Sequence, residues 1–210
     1  MKAVQLLMLL GLPLLASSSI LEQKFYLTID NQKFELATNK TNTIKIDNKE
    51  HNATITMAPL ATFNHPNIAF KFPSSLNFSY DASDEAQGLK SWSINGDNLI
   101  IMVLVYNKKY PKETLINTLL SEYKRMKATI KEDKATLQLK NGQKIEGKKM
   151  EIYLGNVTLY QEIYILYTKN GSSIAFLLQD TFNDNSNTQE FKNAKEILKN
   201  SLVLKGVEGV

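Results

Sequence analysis

The sequence predicts an α+β fold: an antiparallel β-sheet covered by helices on both faces, an α/β/α sandwich, preceded by a small N-terminal β-hairpin block. Three observations carry this expectation. The run Leu99–Tyr106 contains no polar residue before its terminal tyrosine. A half-exposed strand alternates with period two, so an unbroken apolar run of this length reads as a strand buried on both faces. Two later stretches, one starting at Pro111 and one after Asn187, repeat apolar residues at helical spacing. Between them lie consecutive strands with apolar residues on both faces, and a sheet of that kind needs two covering layers.

Composition bounds the protein class. The 210 residues are 43% hydrophobic, enough for a real core. Lys+Arg 25 against Asp+Glu 21 leaves a mild excess of +4, and Arg125 is the only arginine. Arginine supplies the planar fork preferred for phosphates and guanine edges, so a nucleic-acid partner is not expected. Cysteine is absent. That removes thiolate nucleophiles, cysteine-held zinc and iron–sulfur clusters, and leaves core packing to hold the fold.

Residues 1–19 read as a signal peptide. Lys2 is the positive start, Leu6 to Leu15 the apolar core, and Ala16 to Ser19 the small residues near a cleavage site. The alternative is an uncleaved anchor. The apolar stretch is shorter than the ~20 residues of a spanning helix, and no later segment is longer, so no transmembrane segment is expected after cleavage. Periplasmic or secreted localisation follows. The Asn-x-Ser/Thr sequons at Asn39, Asn52, Asn77, Asn156 and Asn170 would be glycan acceptors only in a eukaryote. The Lys- and Asn-rich composition fits an A/T-rich bacterial genome, where they carry no meaning.

Residues 24–58 form a small all-β block. Phe25, Leu27 and Ile29 alternate up to a turn at Asp30-Asn31-Gln32, and Phe34 and Leu36 alternate after it; Ile44, Ile46, Ile55 and Met57 continue the pattern. Two consecutive hairpins with one buried face account for this. Pro59 to Pro66 reads as a linker, with two prolines and no period. The main domain spans 63–205. It opens with the alternating strand Ile68–Phe72, closed by Pro73, and a further strand carries Leu76, Phe78 and Tyr80. Asp81 to Gly88 is an acidic loop, and Leu89 to Ile94 holds Trp92, the one tryptophan.

After the Leu99–Tyr106 strand, Pro111 suits a first helical turn. Leu115, Leu119, Met126 and Ile130 recur with Ile116, Leu120 and Tyr123 beside them, so a helix from Pro111 to about Glu132 is expected. Asn141-Gly142 marks a hairpin. Lys149–Leu154 and Val157–Thr168 meet across Gly155-Asn156, a two-residue type II′ turn, which sets Ile152 opposite Leu159 and Lys149 opposite Glu162 as a charge pair. If Asn170-Gly171 is also a two-residue turn, Ile165 pairs with Phe176 and Tyr164 with Leu177. Asn187 and Glu190 make a capping box for the last helix, whose Phe191, Ala194, Leu198 and Leu202 face inward.

This element order, with the Phe72-Pro73 strand end and the closing Ile197-Leu198-Lys199-Asn200-Ser201-Leu202, resembles the PsbP-like fold over about residues 63–205. That fold occurs in a photosystem II extrinsic protein, a Ran-binding factor and many exported bacterial proteins. The resemblance implies the sandwich architecture and an exported, PsbP-related protein. It carries no shared catalytic residues.

Chemical motifs are sparse. His51 and His65 lie in polar stretches read as turns, outside any metal-ligand spacing. No G-x-S-x-G, G-x-G-x-x-G or P-loop occurs. Asp180, Asn183, Asp184, Asn185 and Asn187 gather oxygen ligands, but Thr188 and Ala194 stand where a calcium loop needs Gly and Glu, so a polar turn capping the last helix is expected. Asp81, Asp84 and Glu85 read as a solvated loop. Tyr153, Tyr160 and Tyr164 share one sheet face and are the candidate ligand- or partner-binding residues, against the plainer reading that they are core packing. No cofactor and no metal is expected. The sequence therefore points to a non-enzymatic exported protein acting in binding or assembly at the cell envelope, with a protein or small ligand as partner. The alternatives are an envelope hydrolase using an Asp/Glu pair, and a secreted adhesin or effector.

Overall fold

The computed structural model describes residues 25–37, 40–56, 58–182 and 186–209. The expected signal peptide, the Asn39 sequon, Met57, and Asn183 to Asn185 lie outside the described residues. The chain divides into two compact units between Pro59 and Leu60.

In the first unit, β1 (Phe25–Ile29) pairs with β2 (Gln32–Leu36), and β3 (Thr41–Ile46) pairs with β4 (Lys49–Thr54). Each hairpin closes on an Asp-Asn pair with positive φ at both residues, Asp30-Asn31 and Asp47-Asn48. That is the type I′ turn, whose twist matches the flanking strands and which Asn and Asp tolerate best after Gly. Leu36 and Ile44 are its only buried apolar side chains among the described residues. His51 sits in β4 opposite Ile44, in a strand and not in a turn.

The second unit opens with β5 (Leu60–His65), not with a linker, and β6 (Ile68–Pro73) follows. It continues with β7 (Asn77–Asp81), a short 3₁₀ turn, β8 (Leu89–Asn95), β9 (Leu99–Tyr106), α1 (Lys112–Arg125), β10 (Thr129–Gln138), β11 (Lys144–Leu154), β12 (Val157–Tyr167), β13 (Ser173–Thr181), α2 (Gln189–Ser201) and β14 (Val203–Leu204). A seven-stranded sheet runs β10-β11-β12-β13-β9-β8-β7, and a three-stranded sheet runs β14-β6-β5. All of their pairings are antiparallel. β9 is interior to the large sheet and none of its side chains is exposed.

The expectation of a sheet between helical layers on both faces is corrected. Among the described residues, strands make up 56% and helices 17%. The fold is mostly antiparallel β, and a second sheet supplies much of the cover. On one face Leu99, Ile101 and Val103 of β9 and Phe176 and Leu178 of β13 share a core with Phe63, Phe70 and Phe72 of the small sheet and with Phe191, Ala194 and Leu198 of α2. On the other, Tyr123 of α1 reaches Gln161 of β12 and Gln179 of β13. The aromatic hairpin β5–β6, half of it read as linker, took the place of a helical layer.

The first helix is shorter than its apolar period suggests. It stops at Met126, and Ile130 and Glu132 belong to β10. Lys127 is left-handed (φ 61), with Lys127 N–H donating to Lys124 O and Ala128 N–H to Tyr123 O. This is a Schellman stop, a position usually filled by Gly; here Lys fills it and the sequence shows no break.

The hairpins set the register of the large sheet. The β11–β12 register is as read, Ile152 opposite Leu159 and Lys149 opposite Glu162, with Gly155 at φ 59 as a II′ turn requires. The charge pair is not as read: Lys149 bonds Asp133, while Glu162 bonds Lys195. The β12–β13 register is shifted by one residue, so Tyr164 lies opposite Phe176 and Ile165 opposite Ala175. The loop is Lys169-Asn170-Gly171, in which Gly171 N–H donates to Thr168 O and φ at Gly171 is 82. A type I turn followed by a left-handed Gly adds the extra residue. Lys140-Asn141-Gly142 repeats the same device, with Gly142 at φ 87.

The N-cap of α2 is Thr188, whose Oγ1 accepts from Phe191 N–H at 3.2 Å, and not Asn187. Buried Asp180 fixes this turn by accepting from Asn187 Nδ2, Thr188 N–H and Thr188 Oγ1 at 2.8–3.0 Å. Glu190 reaches across instead of back and accepts from the Asp97 and Asn98 amides in the β8–β9 turn.

Candidate aromatic binding groove

β7 and β8 form the far edge of the large sheet. Their register sets Phe78 opposite Ile94 and Tyr80 opposite Trp92. Ile94 belongs to the core shared with the small sheet and Trp92 packs against it, so these four side chains lie on the covered face. The cover ends before the edge does. Phe78 is 52% exposed and Tyr80 45%, the unusual state for large aromatic side chains.

The rings form a continuous path from surface to core. Tyr80 stacks on Trp92 at 5.3 Å, and Trp92 meets Phe63 edge-on at 5.7 Å. Phe63 lies 6.3 Å from Phe78 and 5.1 Å from Phe70, which packs against Phe176 of the large sheet. Between the two sheets this leaves a cavity of about 350 Å³, at the small end of the range for ligand pockets. Thr62, Phe63, Asn64 and His65 of β5 and Phe72 of β6 line it from the small sheet; Phe78 and Trp92 line it from the large one.

His65, expected in a turn, ends β5 and its ring lies 5.5 Å from Trp92. Burial, and then the Lys90 charge, hold its pKa below the ordinary value. The imidazole is therefore neutral at pH 7. Its Nδ1 accepts from Asn67 N–H at 3.3 Å, which assigns the ring proton to Nε2. At the rim Tyr80 donates to Glu85 at 3.0 Å, and Lys90 holds the same carboxylate at 2.9 Å. Glu85 is held below the usual carboxylate range by Lys90 and then by Tyr80. No carboxylate lines the cavity, and His65 has no acid beside it in the groove. Flat apolar faces with a few polar groups suit binding.

Tyr153, Tyr160 and Tyr164 do share the face of the large sheet that α2 covers. Their hydroxyls serve carboxylates. Tyr160 and Tyr164 donate to the two oxygens of Glu162 at 2.6 and 2.7 Å, and Lys195 of α2 completes the shell. Tyr164 is fully buried. Tyr160 stacks on Phe182 and meets Phe191 edge-on. Burial, with Glu162 beside them, raises both tyrosine pKa values. Tyr153 donates to Glu151 at 2.6 Å and accepts from Lys131 at 3.2 Å. A smaller polar cleft of about 240 Å³ lies beside Lys131, Asp133, Lys149, Glu151 and Tyr160. Of the acidic loop, Asp81 accepts from Ser83 N–H and Glu85 serves the groove rim. Among the described residues no cluster of three His, Asp or Glu could hold a metal ion.

Sequence reasoning missed the groove. Its one visible signal was Phe78-x-Tyr80 alternating on a strand beside the single tryptophan. That pattern reads as core unless the end of the cover is known. The chain matches no protein-family model and no curated protein.

Proposed function

We propose that the chain is a non-enzymatic, exported binding or assembly protein of the cell envelope, and that the Phe63–Phe78–Trp92 groove is where its ligand seats. The observation that carries this reading is the exposed aromatic rim continuous with a cavity that has no acid, metal cluster or nucleophile-base pair in its lining. The leader-like residues 1–19 support export. No helix among the described residues is long and apolar enough to cross a membrane. The hydrolase reading finds no carboxylate in this groove; in the smaller cleft, Asp133 is paired with Lys149 and Glu151 accepts from Tyr153.

Trp92 is the only tryptophan, so its emission reports on this groove alone. Envelope extract is fractionated and each fraction titrated into the purified protein. The expected result is a fraction that shifts the emission of the native chain and leaves Phe78→Ser unmoved. Equal shifts in both, or none in either, would refute the assignment. Cell fractionation tests export: recovery only from the cytoplasm would remove it.

A further inference from the structure

We infer that the groove takes an extended, uncharged peptide segment of another protein, which adds as a strand to the free edge of β5; this rests on the binding reading above. Consecutive side chains of a strand point to opposite faces. A cavity that touches four residues in a row, Thr62 to His65, therefore lies along the edge of the strand and meets its main chain.

The hydrogen-bond phase shows what that edge offers. Lys71 N–H donates to Ser201 Oγ at 2.9 Å, and Asn67 O accepts from Lys205 N–H, both on the β14 side of β6. Residues 67, 69 and 71 thus turn their main chain away from β5. Their partners Thr62 and Asn64, opposite Lys71 and Ala69, form the non-bonded pairs of the ladder and aim N–H and C=O outward. Neither has another main-chain partner among the described residues.

The occupant follows from the chemistry around those groups. Regularly spaced main-chain donors and acceptors along one edge are the template for strand addition, and the apolar floor takes alternate side chains. Exposed edges are usually protected by Lys, Pro or a bulge; Leu60–His65 carries neither Lys nor Pro and pairs without interruption. No ammonium or carboxylate lines the groove, so the touching segment is uncharged, with an aromatic or branched side chain over Phe63, Phe78 and Trp92.

The test uses the full chain and a soluble peptide, Lys-Thr-Phe-Thr-Phe-Thr-Lys, in three forms: unmodified, N-methylated on the Phe amides, and N-methylated on the Thr amides. Trp92 emission gives affinity, and amide hydrogen exchange reads Thr62 and Asn64. The expected result is protection at both amides, and one methylated form binding about tenfold weaker while the other matches the parent, the loss of two main-chain hydrogen bonds on one edge. Thr62→Pro, which deletes an outward N–H, should fold and lose about tenfold in affinity. Equal binding of both methylated forms, or unprotected amides with a shifted Trp92, would overturn strand addition and leave the groove a side-chain or sugar site. A shift with maltohexaose and none with peptide would do the same. A concentration-dependent dimer protecting Thr62 and Asn64 without peptide would assign the edge to a second copy. Failure of every probe, together with every envelope fraction, would overturn the binding reading itself.

Discussion

Lys195→Met isolates the Glu162–Lys195 pair, a buried charge cluster that ties α2 to the large sheet. The Glu162 side chain is 3% exposed and that of Lys195 23%. Glu162 keeps its two tyrosine donors, at 2.6 and 2.7 Å in the native chain, but loses the Lys195 ammonium. Breaking a buried pair by removing one partner costs about 3–5 kcal/mol, because the remaining charge is uncompensated. Lys195 is partly wetted and two donors remain, so we expect the lower end, about 3 kcal/mol, or about 6–12 °C in Tm for a domain of this size. Glu162→Gln with Lys195→Met removes the stranded charge and should recover about 2 kcal/mol of that loss. Urea unfolding at pH 7, followed by Trp92 emission and far-UV circular dichroism, should rank the native chain first, the double variant second and Lys195→Met last. A loss under about 1 kcal/mol for Lys195→Met, or no recovery in the double variant, would refute the reasoning.

Three other perturbations read separate parts of the fold. A Cβ at Gly147 would sit 2.4 Å from Ile163 O and 2.6 Å from the Tyr164 ring; since backbone must move, Gly147→Ala should cost about 2–3 kcal/mol, and urea melts showing less than half that would mean β11 shifts freely. Lys127→Gly relieves the left-handed helix stop and should stabilise by about 0.5–1 kcal/mol, measured the same way. The hydroxyls of Tyr106 and Tyr123 are pushed up to about 12 by burial, so between pH 10 and 12 the unfolded chain sheds protons that the folded chain retains. Stability should fall as pH rises there, by up to about 1.4 kcal/mol per pH unit for each tyrosine. Phenolate absorbance should then appear together with loss of circular dichroism; full ionisation of a folded chain at pH 11 would contradict it.

Much of the fold was legible because local chemistry decided it. The β9 run could satisfy no environment but a doubly covered strand. Gly155-Asn156 demanded a particular turn, and that turn alone set the β11–β12 register. The Phe191, Ala194 and Leu198 spacing marked the buried face of α2. Readings failed where the deciding partner was distant. Tyr164 was set beside the wrong residue because Asn170-Gly171 allows a two- or three-residue loop, and β13 selects between them by pairing with β9. The α1 stop carries no Gly because Lys127 pays its strain locally while β10 claims Ile130 as a strand residue. Lys149 and Glu162 face each other in register, yet each found a nearer partner, Asp133 and Lys195.

The sequence alone determined the elements whose signals are short-range: apolar period, turn residues, and the absence of any cysteine or catalytic motif. Only the tertiary structure decided which face each layer covers and where the cover stops. A Phe-x-Tyr strand is identical in pattern whether a neighbour lies over it or not, since burial is a property of the partner and not of the strand. The groove exists because the β14-β6-β5 sheet is narrower than the sheet beneath it, leaving Phe78, Tyr80 and the edge of β5 uncovered.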